Sequence, residues 1–507
     1  MDIKTLIKNY ESAILECKKA AGGLPNSIWE TYSAFANTNG GTILLGVEEI
    51  NKELFIRGVP APQDLIKMIW DTLNNPQKVS VNILSDRHIY VENTDGMDVV
   101  VIEVPRADRH DKPVYIGSDC FTGSFRRNFE GDYHCTKPEV KNMLRDQADI
   151  TQDSKILANM SLDVFDKESI RRYRMRFSNL KPNHVWNPLS HEEFLYKIGA
   201  IKRSDEDNKE HPTIAGLLVF GEESAIMGEF PEYFLDYREK YDETNRWTDR
   251  ITSNTGDWSG NIFDFYYRVI NKLTADLKVP FQLVGGVERL DDTRVHQAMR
   301  EALTNALIHA NYYGRQGIVI EKTKNETIIS NPGGLRISLA EALEGGISDP
   351  RNPVIFKMFS LINVGERAGS GLSNIQHAWE EYHWGRPILI ETFEPERTTL
   401  KLRIETIVNK IESKSDKAAV KEIDGKATVN DGKAMVKRSL NETQKQIMAL
   451  INENSKITID NMAGAIGITK RNIEKNIKIL KDDGILLRMG GKKEGHWEIV
   501  DHMSEKS

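Results

Sequence analysis

Cysteine is scarce in this chain of 507 residues: Cys17, Cys120 and Cys135 are all it has. An odd count at irregular spacing supports no disulfide framework and points to a reducing cytosol. Cys120, His134 and Cys135 lack the paired Cys-x-x-Cys spacing of a zinc site and read as packing cysteines. Long apolar runs are also missing, which argues against a membrane-spanning helix. The opening MDIKTLIKNYESAILECKKA scatters charge and has no apolar signal core, so no export signal is read and a cytoplasmic location is expected. Positive charge is in deficit, with 68 Lys and Arg against 75 Asp and Glu and a net charge of -7. That average argues against nucleic acid, yet residues 438–500 hold 11 basic against 8 acidic side chains. A locally basic module on an acidic chain is compatible with nucleic-acid contact. The hydrophobic fraction of 39% and charged fraction of 28% fit a soluble globular protein, long enough for about three domains.

The pattern along the chain predicts a multidomain α/β protein. Residues 1–148 read as an α/β domain. Its helix, PNSIWETYSAFANTNGG, carries Ile28, Tyr32 and Phe35 on one face and ends at Gly40 and Gly41 in a left-handed cap. TILLGVEE and DVVVIEVP follow as strands. Residues 149–290 read as connecting α/β structure, with TIAGLLVFGEE as a buried strand. From 291 to 405 a long helix, a hairpin (GIVIEKTKNETIISNPGG), a glycine-punctuated loop and further strands are expected. Residues 406–437 lack aromatics and read as a charged linker; 438–507 read as three helices and a two-stranded wing with a short tail.

Three segments between 295 and 375 belong together. Glu301, Asn305 and His309 stand four apart and share one helical face. A carboxylate there can orient water, an amide oxygen can ligate Mg²⁺, and an imidazole can orient either. SNPGGL (Ser330 to Leu335) ends a strand, and GERAGSGL (Gly365 to Leu372) opens a helix whose N-terminus suits phosphate. In this order they resemble the GHKL (Bergerat) superfamily of ATP-binding α/β sandwiches, in a divergent branch with REALTNALIHANY, NPGGL and RNPVIFKMFSLINVGERAGSGLSNI. The resemblance covers about 110 residues. It implies ATP with Mg²⁺ as cofactors, Asn305 as metal ligand and Glu301 as general base of a weak ATPase. His309, Asn331, Gly333 and Gly334 would line the nucleotide site, and Gly365, Gly369 and Gly371 would form the lid. Asn331 stands where the superfamily reads adenine with aspartate; its carbonyl still offers an acceptor.

Near the C-terminus, Thr469 caps a helix with Ile473, Ile477 and Leu480 at helical spacing. Lys470, Arg471, Asn472, Lys475, Asn476 and Lys478 fall between them and are expected to point outward. Lys492 and Lys493 tip the wing. A recognition helix of this composition suits a major groove; the alternative is a docking module with a solvated basic face.

ESAILECKK, Glu11 to Lys19, puts Glu16 and Lys18 on one face of a strand and Leu15 and Cys17 on the other. With FANTNGG and a strand ending in GVEE, this start resembles the AlbA-like domain of the Schlafen family. The resemblance implies an endoribonuclease-type cluster of Glu11, Glu16 and Glu48 or Glu49, with Lys18 beside them, holding Mg²⁺ or Mn²⁺. Glu11, Glu16 and Glu48 are the metal candidates there. Surface charge on an edge strand is the other reading. Arg126 and Arg127 are candidate contacts to a nucleic-acid backbone under either. The combination resembles bacterial proteins described as DNA-binding or transcriptional regulators. It implies an ATP-binding, DNA- or RNA-binding regulator or antiphage defence effector, homo-oligomeric through an ATP-ordered lid. The alternatives are a regulator without cleavage and an oligomeric scaffold with a vestigial nucleotide pocket.

Overall fold

Alternation in the first strand sets the N-terminal module. Along Leu15–Lys18, Leu15 and Cys17 are buried while Glu16 and Lys18 are half-buried. This computed structural model describes residues 12–50, 53–241, 246–275, 293–365 and 371–404, short pieces at 3–6, 277, 283–284 and 288–289, and parts of 443–499. Leu15–Lys18 pairs in parallel with Gly41–Leu45, Glu16 standing opposite Ile43. Gly41–Leu45 pairs antiparallel with Met97–Val104, and that strand with Ile89–Thr94, giving a four-stranded sheet. One face is covered by the helix Ile28–Asn37, whose Tyr32 and Phe35 pack on Ile43, Leu45, Val100 and Ile102. The other face buries Leu15, Cys17, Leu44, Val99 and Val101. The helix ends at Thr38, and Gly40 alone takes the left-handed turn (φ 76°), its N–H donating to the Phe35 carbonyl at 2.9 Å. Gly41 is the first residue of the next strand, because the chain must enter the sheet there.

The segment TIAGLLVFGEE is a helix, Ile214–Phe220, and not a strand. All seven residues are buried, so the run shows no periodicity to tell helix from strand. Thr213 decides it: its hydroxyl accepts from the Gly216 N–H at 3.0 Å and caps the first turn.

The second sheet has six strands in the order Asp249–Thr252, Leu235–Glu239, Ile318–Lys322, Glu326–Pro332, Glu396–Arg403 and Ile388–Phe393. Leu235–Glu239 runs parallel to Ile318–Lys322, and the other neighbours are antiparallel. Two of the six strands therefore come from residues expected only to connect. The helices Ile262–Ala275, Arg294–His309, Pro353–Leu361 and Gly371–Glu381 share its apolar core. Residues on both sides of position 290, from Leu157 to Leu402, belong to that one core.

The C-terminal unit is built around Ile447, Ile451, Met462, Ile473, Ile477, Leu480, Leu486 and Trp497. Leu486–Met489 and His496–Ile499 form the antiparallel wing, and the Trp497 indole N–H donates to the Ile457 carbonyl at 3.1 Å. The linker expected at 406–437 lies outside the described residues. Among the described residues no helix is long and apolar enough to cross a membrane.

Candidate functional site

Helical spacing places Glu301, Asn305 and His309 on one face of the helix Arg294–His309, and that face lines a cavity of about 150 Å³. Across it lie Asn331, from the strand Glu326–Pro332, and Gly334. Gly371 closes the same cavity at the start of the next helix, where an added Cβ would collide with the Glu301 carboxylate and come within 3.1 Å of Asn305 Nδ2. Of the eight residues expected to bind nucleotide, five thus meet around one space: Asn305, His309, Asn331, Gly334 and Gly371. The general-base candidate Glu301 joins them. Gly333 (φ 94°) turns the chain beside the cavity, and Gly365 (φ 78°) borders an adjoining cleft with Gly371 and Glu301. Gly369 lies outside the described residues.

The polar groups are set in specific states. Burial, then the charges of Arg351 and Arg336, push the His309 imidazole down to about 3, so it is neutral at any physiological pH. Asn331 donates its amide to the Pro332 carbonyl at 3.2 Å. Its Oδ1 has no protein donor among the described residues. Asn305 and Glu301 both carry oxygen donors that Mg²⁺ accepts, so the side chains fit that ion.

The cavity wall from Arg336 to Asp349 carries no motif in the sequence, and residues of the N-terminal module hold this wall and the adjoining Gly334 and Leu335. Arg106 donates two hydrogen bonds to the Glu391 carboxylate, at 2.6 and 3.0 Å, and another to the Leu335 carbonyl at 2.6 Å. Glu391 in turn accepts the Leu335 N–H at 2.7 Å. Arg109 donates to Asp349 at 2.7 Å. Arg351 grips both Asp146 oxygens, at 2.9 and 2.7 Å, and donates to the carbonyls of His309 and Gly334. Burial would raise the Asp146 carboxyl, but Arg351 and, further off, Arg336 and Arg109 hold it below the usual carboxylate range. These partners are up to 285 positions apart in sequence, so no local pattern announces them.

The N-terminal carboxylates are arranged differently from the expected cluster. Glu16 pairs with Lys18 and Arg127, each at 2.9 Å. Glu48 pairs with Lys19 at 2.8 Å and Arg57 at 3.0 Å, and these bonds hold its carboxyl below the usual range. Glu49 is exposed, and Glu11 lies outside the described residues. Among the described residues no group of three or more His, Cys, Asp or Glu side chains is placed to hold a metal ion. The chain turns at Gly46 between the two strands, so Glu48 stands in its own hairpin (Val47–Ile50 with Glu53–Ile56) and not beside Glu16 in the sheet.

Arg126 and Arg127 are not offered to a nucleic-acid backbone. The Arg127 side chain is 1% exposed, pairs with Glu16 and Asp132, and lies over the Phe35 ring. Arg126 pairs with Glu139 and Glu394. A guanidinium taken out of water needs such partners, and here the fold supplies them. In the C-terminal unit Lys470 is exposed, while Asn476 is buried and donates to the Asn472 carbonyl, against the expectation that it points outward. Arg471, Lys475, Lys478, Lys492 and Lys493 lie outside the described residues.

Comparison with known families follows this division. Residues 11–135 match the family described as "Schlafen, AlbA_2", and 316–400 match "Putative ATP-dependent DNA helicase recG C-terminal". Residues 440–486 match "Winged helix-turn-helix DNA-binding", and 141–236 match a domain of unknown function. The chain carries an AlbA_2 module, an ATPase-like RecG C-terminal module and a winged helix. No curated protein matches it. Among solved structures it is similar to the DIP2311 protein of Corynebacterium diphtheriae, at 16% identity over 96% of this chain and 92% of that one, with a TM-score of 0.39. It is also similar to the N-terminal domain of a "Putative ATP-dependent DNA Helicase RecG-related Protein" from Nitrosomonas europaea. That likeness has 27% identity over 26% of this chain and 90% of that one, with a TM-score of 0.21. The pocket helix with Glu301 and Asn305 precedes the matched segment 316–400, so those residues rest on the cavity geometry alone.

Proposed function

We propose that the protein is an ATP-binding, nucleic-acid-binding regulator in which the ATPase-like module takes ATP with Mg²⁺. The observation that carries this is the cavity, with Glu301, Asn305 and His309 on one helix face opposed by Asn331 and Gly371, together with the cleft of about 610 Å³ that shares Glu301 and Gly371 with it. Asn305 would hold the ion, which neutralises phosphate charge when bound, and Glu301 would orient the attacking water as general base. Asn331 Oδ1 accepts a hydrogen bond from the amino group of adenine, doing with an amide what a carboxylate does elsewhere. The neutral His309 adds a donor or acceptor without adding charge. The winged helix, in a DNA-binding class, and the AlbA_2 module make the nucleic-acid contacts.

Binding rather than cleavage is the reading favoured for the AlbA_2 module. Glu16 and Glu48 each already sit between two cations, and a metal ion would have to displace them. The test is incubation of labelled RNA and DNA with the protein in Mg²⁺ or Mn²⁺. Retention on the oligonucleotide without product supports the regulator. Cleavage abolished by Glu16→Gln in a protein of unchanged stability supports a defence effector instead. Saturable ATP binding distinguishes both from a scaffold with a dead pocket.

A further inference from the structure

We infer that Arg106 and Arg109 of the AlbA_2 module are positioning residues of the nucleotide pocket, so that pocket occupancy and nucleic-acid binding by the AlbA_2 module are energetically linked. This rests on the reading that the cavity takes a nucleotide.

Residues 333–338 and 345–352 form much of the cavity wall and belong to no helix or strand, apart from the ends of neighbouring elements. No backbone ladder holds them. Apart from backbone bonds of Gly333 to Glu396, Gly345 to Glu341 and Asn352 to Ile308, side chains hold them, and several of these arrive from the other module. Leu335 is engaged at both its N–H and its carbonyl, by Glu391 and Arg106. The Glu391 carboxylate fills the space where a side chain at 334 would stand, so Gly334 is the residue that lets the clamp close. Asp349, on the opposite stretch of wall, is held by Arg109. Side-chain exposures of 11% for Arg106 and 6% for Glu391 keep the pair largely out of water, where a charge pair has a strong geometric preference.

The other end of the clamp is fixed within the AlbA_2 module. Arg106 follows the sheet strand Met97–Val104, and the next residue, Ala107, donates its N–H to the Ala36 carbonyl. The same helix, Ile28–Asn37, binds the hairpin Phe125–His134 through Ser33, Asn37 and Thr31, and that hairpin carries the Arg127–Glu16 pair. The opening strand and the pocket wall are therefore joined by one run of bonded groups. An oligonucleotide that engages the AlbA_2 module is therefore expected to change ATP affinity, and ATP its affinity, by the same factor.

The test uses the full chain. Binding of Mg·ATP is measured by calorimetry for the wild type, Arg106→Ala, Arg109→Gln and the swap Arg106→Glu with Glu391→Arg. Oligonucleotide affinity is measured with and without a non-hydrolysable ATP analogue. Loss of ATP affinity by about tenfold or more in both single variants is expected, with partial recovery in the swap. The analogue is expected to change wild-type oligonucleotide affinity and to have no such effect in Arg109→Gln. Arg109→Gln leaves Asp349 its contact with Arg336, which guards against simple misfolding. Wild-type ATP binding that persists unchanged in folded Arg106→Ala and Arg109→Gln overturns the inference and spares the pocket reading. No ATP binding by the wild type overturns the pocket reading, and the inference with it.

Discussion

At Gly371 the pocket has no room for a methyl group. A Cβ there meets the Glu301 carboxylate and the Asn305 amide, both ends of flexible or pivoting side chains. Gly371→Ala should therefore leave the fold intact while pushing Glu301 aside. ATP affinity or turnover should fall about tenfold, the scale of one charge-assisted hydrogen bond, with the urea midpoint unchanged. Equal activity at equal stability would remove Glu301 from the site. Lys112 tests a different residue-scale claim. Burial first, then the Arg106 charge, lower its ammonium from 10.5 to about 7, against the pull of Glu391, Glu396 and Asp146. Between those values the unfolded chain holds a proton that the folded chain has released. Stability should thus rise with pH across about 7 to 10.5, and the cost of the buried charge is complete below 7. In Lys112→Met this part of the slope should vanish, as a urea-denaturation series against pH will show; parallel profiles for the two proteins contradict it.

Elements carry the next claim, because the AlbA_2 opening strand is stapled by a buried cation. Arg127 bonds the carbonyls of Ser12 and Leu15 as well as Glu16 and Asp132. Arg127→Ala removes the buried partner of two carboxylates, leaving Glu16 only Lys18 and Asp132 only the Thr31 hydroxyl, and should cost about 3 kcal/mol in urea denaturation, the low end for a broken buried pair. A cost below about 1 kcal/mol would return the pair to the class of solvated surface bridges. It follows that loss of any activity in Glu16→Ala is uninformative unless stability is measured beside it. The strand itself was legible, since its alternation is a period-two signal. Arg126 and Arg127 were not: exposed and buried arginines look alike until their partners, 111 and 268 positions away for Glu16 and Glu394, are known. Ile214–Phe220 reads as a strand for a related reason, since a run buried on every side has no period to read.

For the whole molecule, residues spaced along one helix are easier to read than partners brought together by packing. Glu301, Asn305 and His309 were legible because one helix spaces them, and Asn331 and Gly371 because glycine-rich turns flank them. The strands Leu235–Glu239 and Asp249–Thr252 were not, since nothing local says that they extend a sheet begun by Ile318–Lys322. Nor was the clamp of Arg106, Arg109 and Asp146, which exists only after two modules pack. Acid adds one further expectation at this scale. His309 binds its proton near 6.5 when unfolded and only near 3 when folded, so stability should fall as pH drops from 6.5 toward 3. A shallower fall in His309→Gln, followed by denaturation midpoints, checks it; an unaltered fall assigns acid lability to other groups. The central claim is that the cavity beside Arg294–His309 binds ATP, and calorimetric titration of the full chain with ATP, with and without Mg²⁺, tests it most directly. Saturable, Mg²⁺-dependent binding that Asn305→Ala abolishes is the predicted result; no binding, or binding indifferent to both Mg²⁺ and Asn305, contradicts it.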